Sequence, residues 1–586
     1  MRKFIIFLAI CLTTFSCNDD LNVEPDFLSE SSVFEDKALT EAYMSQIYES
    51  MQFMNTTSFG QTNMGLISAI GAEAIAFANW QAPNQAFLRT YSQQNGAGTL
   101  GYWAYGAVRQ SNFIIENIVN SKAFEKEYID KKILEARFLR AYIYFDMVKR
   151  YGGVPLITKV QKADDPEEEL FPKRAKEQEI YDFIYTELND IIGKFSNDRT
   201  GAEGRVDKYT ALALQSRAML YAASIAKFGE VDLDAVVGIN SSLTEQYYKR
   251  SYDASVALEK SGVFSLYNAS PSDKVKNFGD LFLTDGLGNP EVIFAEVYEP
   301  IVRGHNLDYL AHPDGFNTTW NSNFPVLYDF AELFEYKDGR QNVPRSMLTA
   351  NNDWDIKDFF GEKDPRFVAS VFFPQTSWRG EEVYFHTNTT YTLNGQVVTT
   401  NQGNIDVNGA TWPASGPARS IRNTSLLLRK RLDPNLPLSG VIELGSGQDF
   451  FVFRYGEILL NKAEAAFYLN NSGEALDAIN KIRDRAGMPL RTIATEENIR
   501  LERQVELAFE DHRFWDLVRW RTAVEEMDGV RMSGLVFRYN LDTDRYVITL
   551  KNAETQTRIF GKERYYLPIS QGLISDNENL VQNPGY

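Results

Sequence analysis

The amino-acid sequence predicts a mostly α protein, a tetratricopeptide-like helical solenoid scaffold carrying a large irregular insertion of loops and short strands. Three observations predict it. Residues 36–261 hold a succession of amphipathic runs whose apolar positions recur every three or four residues, the spacing of one helix face. Between 263 and 448 that periodicity lapses, and Gly, Asn, Asp, Pro and aromatic residues take over. Helical spacing returns from 451 to 509, so the helical body is drawn from both sides of the insertion and the chain forms one intertwined unit.

The elements follow in order. Arg2 and Lys3 precede the apolar residues 4–12, a run too short to cross a bilayer but laid out as an export signal. Cys17 then follows Ser16, which predicts removal of residues 1–16 and a lipid anchor on Cys17. Asp19 and Asp20 just beyond it resemble the signal that sends lipoproteins to the outer face of an outer membrane. Cys11 and Cys17 are the two cysteines, so the processed chain offers no disulfide, zinc-thiolate site or cysteine nucleophile.

Helices are predicted over 36–51, 102–120, 129–151, 177–195, 208–228 and 245–261. The third carries two apolar stripes, one through Leu134, Phe138, Tyr142 and Phe145 and one through Ile133, Ala136, Ile143 and Met147, so it is expected to be covered on both sides. Gly152 and Gly153 stop it. Inside the insertion, residues 291–295 read as a strand, and Asn394-Gly395 between two β-prone runs reads as a hairpin turn. Three more helices are predicted over 451–469, 473–486 and 496–509, leaving 526–586 as an irregular segment.

Composition narrows the function. The formal net charge is −19, a surface that repels phosphate backbones, so nucleic acid is not an expected partner and a neutral ligand is favoured over a polyanion. Aromatic residues make up 13% of the chain, more than a helical core needs, which places some of them at a surface. The four histidines have no H-E-x-x-H spacing, and neither a P-loop nor a G-x-S-x-G elbow is present, so no cofactor and no metal are called for.

Several runs then carry a family likeness. They are residues 135–156 (Glu-Ala-Arg-Phe-Leu-Arg-Ala-Tyr-Ile-Tyr-Phe-Asp-Met-Val-Lys-Arg-Tyr-Gly-Gly-Val-Pro-Leu), 455–461 (Tyr-Gly-Glu-Ile-Leu-Leu-Asn) running on to 487, 502–520, and the closing Gln582-Asn583-Pro584-Gly585-Tyr586. In that order they resemble the signatures of the SusD/RagB family of Bacteroidetes outer-membrane lipoproteins. The resemblance implies one SusD-like domain over 17–586, with a helical body at 33–262 and 449–525 and a ligand-binding insertion at 263–448. It implies a non-enzymatic, surface-exposed lipoprotein that captures a polysaccharide or oligosaccharide for a SusC-like TonB-dependent transporter. Arg137, Arg140, Glu457, Glu464, His512, Arg513 and Trp515 within these motifs are expected to fix helix packing.

Sugar rings present apolar C–H faces, so glycan capture asks for flat aromatics on loops with amides or carboxylates for the hydroxyls. Two segments fit. One holds Asn79, Trp80 and Gln81, with Glu73 upstream; the other runs from Tyr298 to Trp320 and Asn321. The family takes ligand aromatics from an early and a mid-chain loop, and these lie at comparable positions. The alternative for each ring is to plug its loop onto the helical body. Trp103, Trp515 and Trp520 sit in helical patterns and read as core, whereas Trp378 and Trp412 are loop residues open to either use. Three other functions remain in view: a peptide- or glycoprotein-capturing lipoprotein, a structural or adhesion lipoprotein, and a glycoside hydrolase, which would need two carboxylates about 5–10 Å apart.

Overall fold

The computed structural model describes residues 32–51, 66–75, 97–316, 320–407, 409–422 and 424–586. The predicted signal and Cys17 lie outside the described residues, as do Asn79, Trp80 and Gln81. Six helices build the first part of the body: α1 (Lys37–Ser50), α2 (Tyr105–Asn117), α3 (Lys126–Tyr151), α4 (Glu177–Ile192), α5 (Lys208–Phe228) and α6 (Thr244–Ser261). From α2 onward each packs on the next in sequence. The chain re-enters the stack after the insertion with α7 (Tyr455–Tyr468), which packs on α6, and with α8 (Ser472–Ala486) and α9 (Glu496–Glu506), both against α7. A short α10 (Arg513–Arg519) follows. The architecture is therefore mostly α and tetratricopeptide-like.

Local chemistry sets the helix ends. Asp36 accepts from the Ala38 and Leu39 N–H groups at the start of α1, and Asp207 accepts from Thr210 N–H at the start of α5. At the end of α3, Gly152 adopts φ +73°, and a side chain on Gly153 would collide with the Ala175 carbonyl at 1.8 Å. Both α3 stripes are buried, including Leu134, Phe138, Tyr142, Ala136, Ile143 and Met147. The charges this helix buries are paired: Lys132 stands 3.3 Å from Glu135, Arg140 donates to Glu187 at 2.6 Å, and Arg150 stands 3.1 Å from Asp146.

The motif residues form a polar seam through the stack. Arg217 of α5 donates to Glu457 of α7 at 2.6 Å, Arg519 of α10 to Glu464 at 2.7 Å, and Arg503 of α9 to Asp516 at 2.8 Å. Ser216, Ser255 and Asn461 continue it, with Arg503 donating to the Asn461 side-chain oxygen at 2.7 Å. Trp515 and Trp520 are buried, and Trp520 Nε1 donates to Glu464 at 3.1 Å. Each charge is compensated by a specific partner on another helix, so these residues set register within the body.

Two segments depart from the sequence expectation. Residues 451–454 are a strand, not the start of a helix. Phe450–Arg454 (β5) pairs antiparallel with Val292–Glu296 (β1), and both are buried along their whole length. A short, continuously apolar run such as Phe451-Val452-Phe453 suits a fully buried strand as well as a helix, and pairing with β1 decided between them. Residues 526–586 are not wholly irregular either. They contain a hairpin, β6 (Ser533–Asn540) and β7 (Arg545–Asn552), in which Leu535, Phe537 and Tyr539 alternate inward.

This hairpin closes the insertion's sheet. The strand order is β2 (Asp353–Trp354), β7, β6, β3 (His386–Leu393), β4 (Gln396–Thr400), with β6 and β3 parallel and the other pairs antiparallel. Asn394 and Gly395, at φ +51° and +77°, form the expected two-residue turn between β3 and β4. An ion-pair cluster fastens the insertion to the body. Arg454 bonds Glu291, Glu506 and Glu510, while Arg366 bonds Asp364, Glu502 and Glu506, all buried.

Candidate functional site

Residues just before the early segment and just after the mid-chain segment meet at one backbone bridge. Ala74 and Val326 pair antiparallel; Ile75 N–H donates to the Pro325 carbonyl at 2.9 Å and Leu327 N–H to the Glu73 carbonyl at 3.0 Å. Trp320 lies five residues before Pro325 in the chain.

Glu73 itself points inward. It is 1% exposed and its Oε1 accepts the Phe509 N–H at 3.0 Å. Burial pushes its carboxyl up to about 7, against the opposing effect of the Phe509 hydrogen bond. Glu73 therefore clamps the bridge to the end of α9 and does not face a ligand, which corrects its reading as a polar ligand contact.

Trp320 is 37% exposed, and among the described tryptophans it alone lies at the open surface. The Arg419 guanidinium stands 5.9 Å from the centre of its ring. The three polar residues that follow are buried and build the loop. Asn321 Nδ2 donates to Asp314 at 3.1 Å; Ser322 N–H donates to the His312 carbonyl at 2.9 Å; Asn323 Nδ2 donates to the Leu310 carbonyl at 3.1 Å. The Ser322 and Ser420 hydroxyls meet at 3.1 Å, tying the Arg419 loop to the Trp320 loop. Asn321, read from the sequence as a ligand contact, is 2% exposed and serves to hold Trp320 outward.

Tyr298 is half-buried, with the Arg303 guanidinium 4.9 Å from its ring centre and His305 set edge-on at 4.9 Å. Its N–H donates to Asp449 at 3.0 Å. These contacts make it a buttress for its own loop. Trp378 is a prop beneath the site: it is buried, and its Nε1 donates to His312 Nε2 at 3.2 Å. His312 Nδ1 sits 3.1 Å from the Asp308 carbonyl, to which it donates while Nε2 accepts. Burial first, then the Arg379 charge, lower His312 to about 4, so it stays the neutral acceptor Trp378 needs. Trp412 is half-buried in a small hairpin opposite Ile405.

All four histidines are held well below their ordinary range by burial, so none carries a positive charge near neutral pH. Among the described residues no group of histidine, cysteine, aspartate or glutamate side chains could hold a metal ion, and no helix is long and apolar enough to cross a membrane. Arg419 is the site residue that the sequence reading missed. Its partner is distant in the chain, and its surroundings, Gly416-Pro417-Ala418, look like any loop.

Fold and face together define a class: a helical-repeat body that presents an aromatic ring and a guanidinium on a loop-built surface. Residues 290–586 match the family model described as the SusD family, and residues 19–220 match one described as starch-binding associating with outer membrane. The chain belongs to the SusD family. SusD-like protein P38 of Formosa agariphila is 24% identical over 459 residues, 72% of each chain. A SusD-like carbohydrate binding protein of Bacteroides fragilis superposes with a TM-score of 0.67 at 21% identity, covering 94% of this chain and 100% of its own. A laminarin binding SusD-like protein superposes at 0.59 with 19% identity, covering 94% and 100%. At these identities the likeness to the solved structures is one of fold.

Proposed function

We propose that this protein captures a neutral polysaccharide or oligosaccharide at the cell surface and passes it to a SusC-like TonB-dependent outer-membrane transporter. The observation that carries the reading is the bridge between Glu73-Ala74-Ile75 and Pro325-Val326-Leu327, from which Trp320 is held outward beside Arg419. An exposed indole offers an apolar plane to a sugar C–H face, and a neighbouring guanidinium offers donors to its hydroxyls. Trp80, Asn79 and Gln81 are proposed as further ligand contacts. The family descriptions and the carbohydrate named for two solved relatives support a glycan as the ligand. A lipid on Cys17 would hold the body at the outer membrane.

Affinity gels containing starch, laminarin or other neutral glycans test the site. Trp320→Ala is expected to weaken retention at least tenfold, with circular dichroism and thermal unfolding checking that the variant is folded. Retention of the Trp80→Ala/Trp320→Ala double variant at wild-type strength would sink this assignment. Cys17→Ser is expected to lose lipid labelling and to leave the outer-membrane fraction. Affinity purification of tagged wild-type protein from that fraction should bring down a β-barrel transporter.

A further inference from the structure

A second cleft lies away from the Trp320 face. Its volume is about 590 Å³, within the range of small-ligand sites, and no lining residue comes from the insertion. The end of α5, the loop after it, the turn beyond α10 and the C-terminal segment build its walls.

Arg521 organises this cleft. Its backbone adopts φ +59°, which turns the side chain in from the end of α10. The guanidinium lies over the rings of Tyr565 and Tyr566, 4.7 and 5.0 Å from their centres. Nη2 donates to the Tyr566 hydroxyl at 2.8 Å, and that hydroxyl donates in turn to buried Glu177 at 2.7 Å. Nη1 donates to the Val518 carbonyl at 2.8 Å. The arginine is thus fixed by two rings and a hydrogen-bonded chain, the kind of support a binding residue needs to stay in one geometry.

The charges around the cleft are not spent on one another. Among the described residues Arg521 bonds Val518 and Tyr566 and is not ion-paired to Glu525, Glu563 or Glu230, and neither is Lys562, although all five line it. Donors and acceptors therefore stand side by side with hydrogen-bonding capacity left over. Half-buried Phe228 and Tyr565 supply apolar wall between them. The loop at the rim is strained: Leu233, Asp234 and Ala235 lie at φ +50°, +53° and +68°, a left-handed run that non-glycine residues avoid. Such strain persists where the surrounding structure imposes it, and it clusters at ligand clamps.

We infer that this cleft is a second carbohydrate site, taking a neutral sugar unit against Phe228 and Tyr565 with its hydroxyls bonded by Arg521, Lys562, Glu525 and Glu563. A hydroxyl both donates and accepts, so sugar is the ligand class that uses such a mixed, unpaired lining. A strongly anionic ligand would meet more carboxylates than cations. The inference rests on the proposed glycan-binding function.

The test is isothermal titration calorimetry with starch- and laminarin-derived hexasaccharides, joined to hydrogen exchange of residues 230–237 and 562–566. Wild-type protein should bind two equivalents, and Trp320→Ala should keep one. Combined Lys562→Met and Glu525→Gln, both on exposed side chains, should weaken that remaining site more than tenfold. Sugar should slow exchange of the two cleft segments in wild type and in Trp320→Ala protein alike. One equivalent, abolished by Trp320→Ala and with no protection at the cleft, would overturn the inference while leaving the proposed function standing. One equivalent insensitive to Trp320→Ala but lost with the cleft variants would uphold the cleft and sink the Trp320 site. Absence of binding to every glycan tested would overturn both.

Discussion

Replacing Glu510 with glutamine tests whether the buried ion-pair cluster is what clamps the insertion to the helical body. Glu510 is 4% exposed; its carboxylate accepts from Arg454 Nε at 2.6 Å and from Lys430 Nζ at 2.7 Å. Burial alone would raise its carboxyl, yet Arg454 and Lys430 outweigh that and hold it down to about 2 from an ordinary 4.5. At about 1.4 kcal/mol per pH unit the difference corresponds to roughly 3 kcal/mol. Because the folded value lies below the unfolded one, this stability is full above about pH 4.5 and drains away as pH falls towards 2. Burial also lowers the Lys430 ammonium to about 8, so the pair is fully charged only between those limits.

A second route gives a similar size. Removing one partner of a buried pair costs about 3–5 kcal/mol, because the remaining charge stays buried. Arg454 would keep Glu291 and Glu506, which places the loss at the lower end of that range. Urea unfolding of wild-type and Glu510→Gln protein at pH 7 and pH 2.5 is the assay, with hydrogen exchange following residues 263–448. The variant should be about 3 kcal/mol less stable at pH 7, and the gap should shrink towards zero at pH 2.5. A loss below about 1 kcal/mol at pH 7, or a gap that ignores pH, would refute the clamp.

Three further outcomes are expected. Glu73→Gln keeps an acceptor for the Phe509 N–H but removes the titration. Since burial raises Glu73 to about 7 in the folded state, its contribution is present below about pH 4.5 and lost as pH rises through 7. The variant should therefore match wild type at pH 4.5 and gain up to about 3 kcal/mol at pH 8, measured by urea unfolding; parallel pH profiles would contradict the assignment. Arg419→Met should weaken glycan binding by several-fold, corresponding to about 0.5–1 kcal/mol of lost cation–π and hydrogen-bond support, with calorimetry as the check and unchanged affinity as the contrary result. Gly395→Ala, at φ +77° in an exposed turn, should cost about 1 kcal/mol in thermal unfolding and leave glycan binding untouched.

What could be read directly from the sequence was local. The helix over 208–228 has the predicted bounds, and α1, α3, α4, α6 and α8 lie within a few residues of theirs, because a 3.6-residue period and a cap are written into neighbouring positions. The turn at Asn394-Gly395 was equally legible, since positive φ at two adjacent positions selects those residues. The resemblance carried by residues 135–156 and 455–487 pointed to the family before any contact was known.

Tertiary structure decided what depends on residues far apart in the chain. Whether Phe451-Val452-Phe453 is helix or strand turned on β1, more than 150 residues earlier. The hairpin at 533–552 found its place only by lying parallel to β3. At the candidate site the sequence named amides beside Trp320, but their burial under Asp314, His312 and Leu310 made them supports, while Arg419 arrived from another loop to face the ring. Periodicity records which side of an element is apolar; it does not record which distant group will occupy the space beside an exposed ring. That is settled by packing.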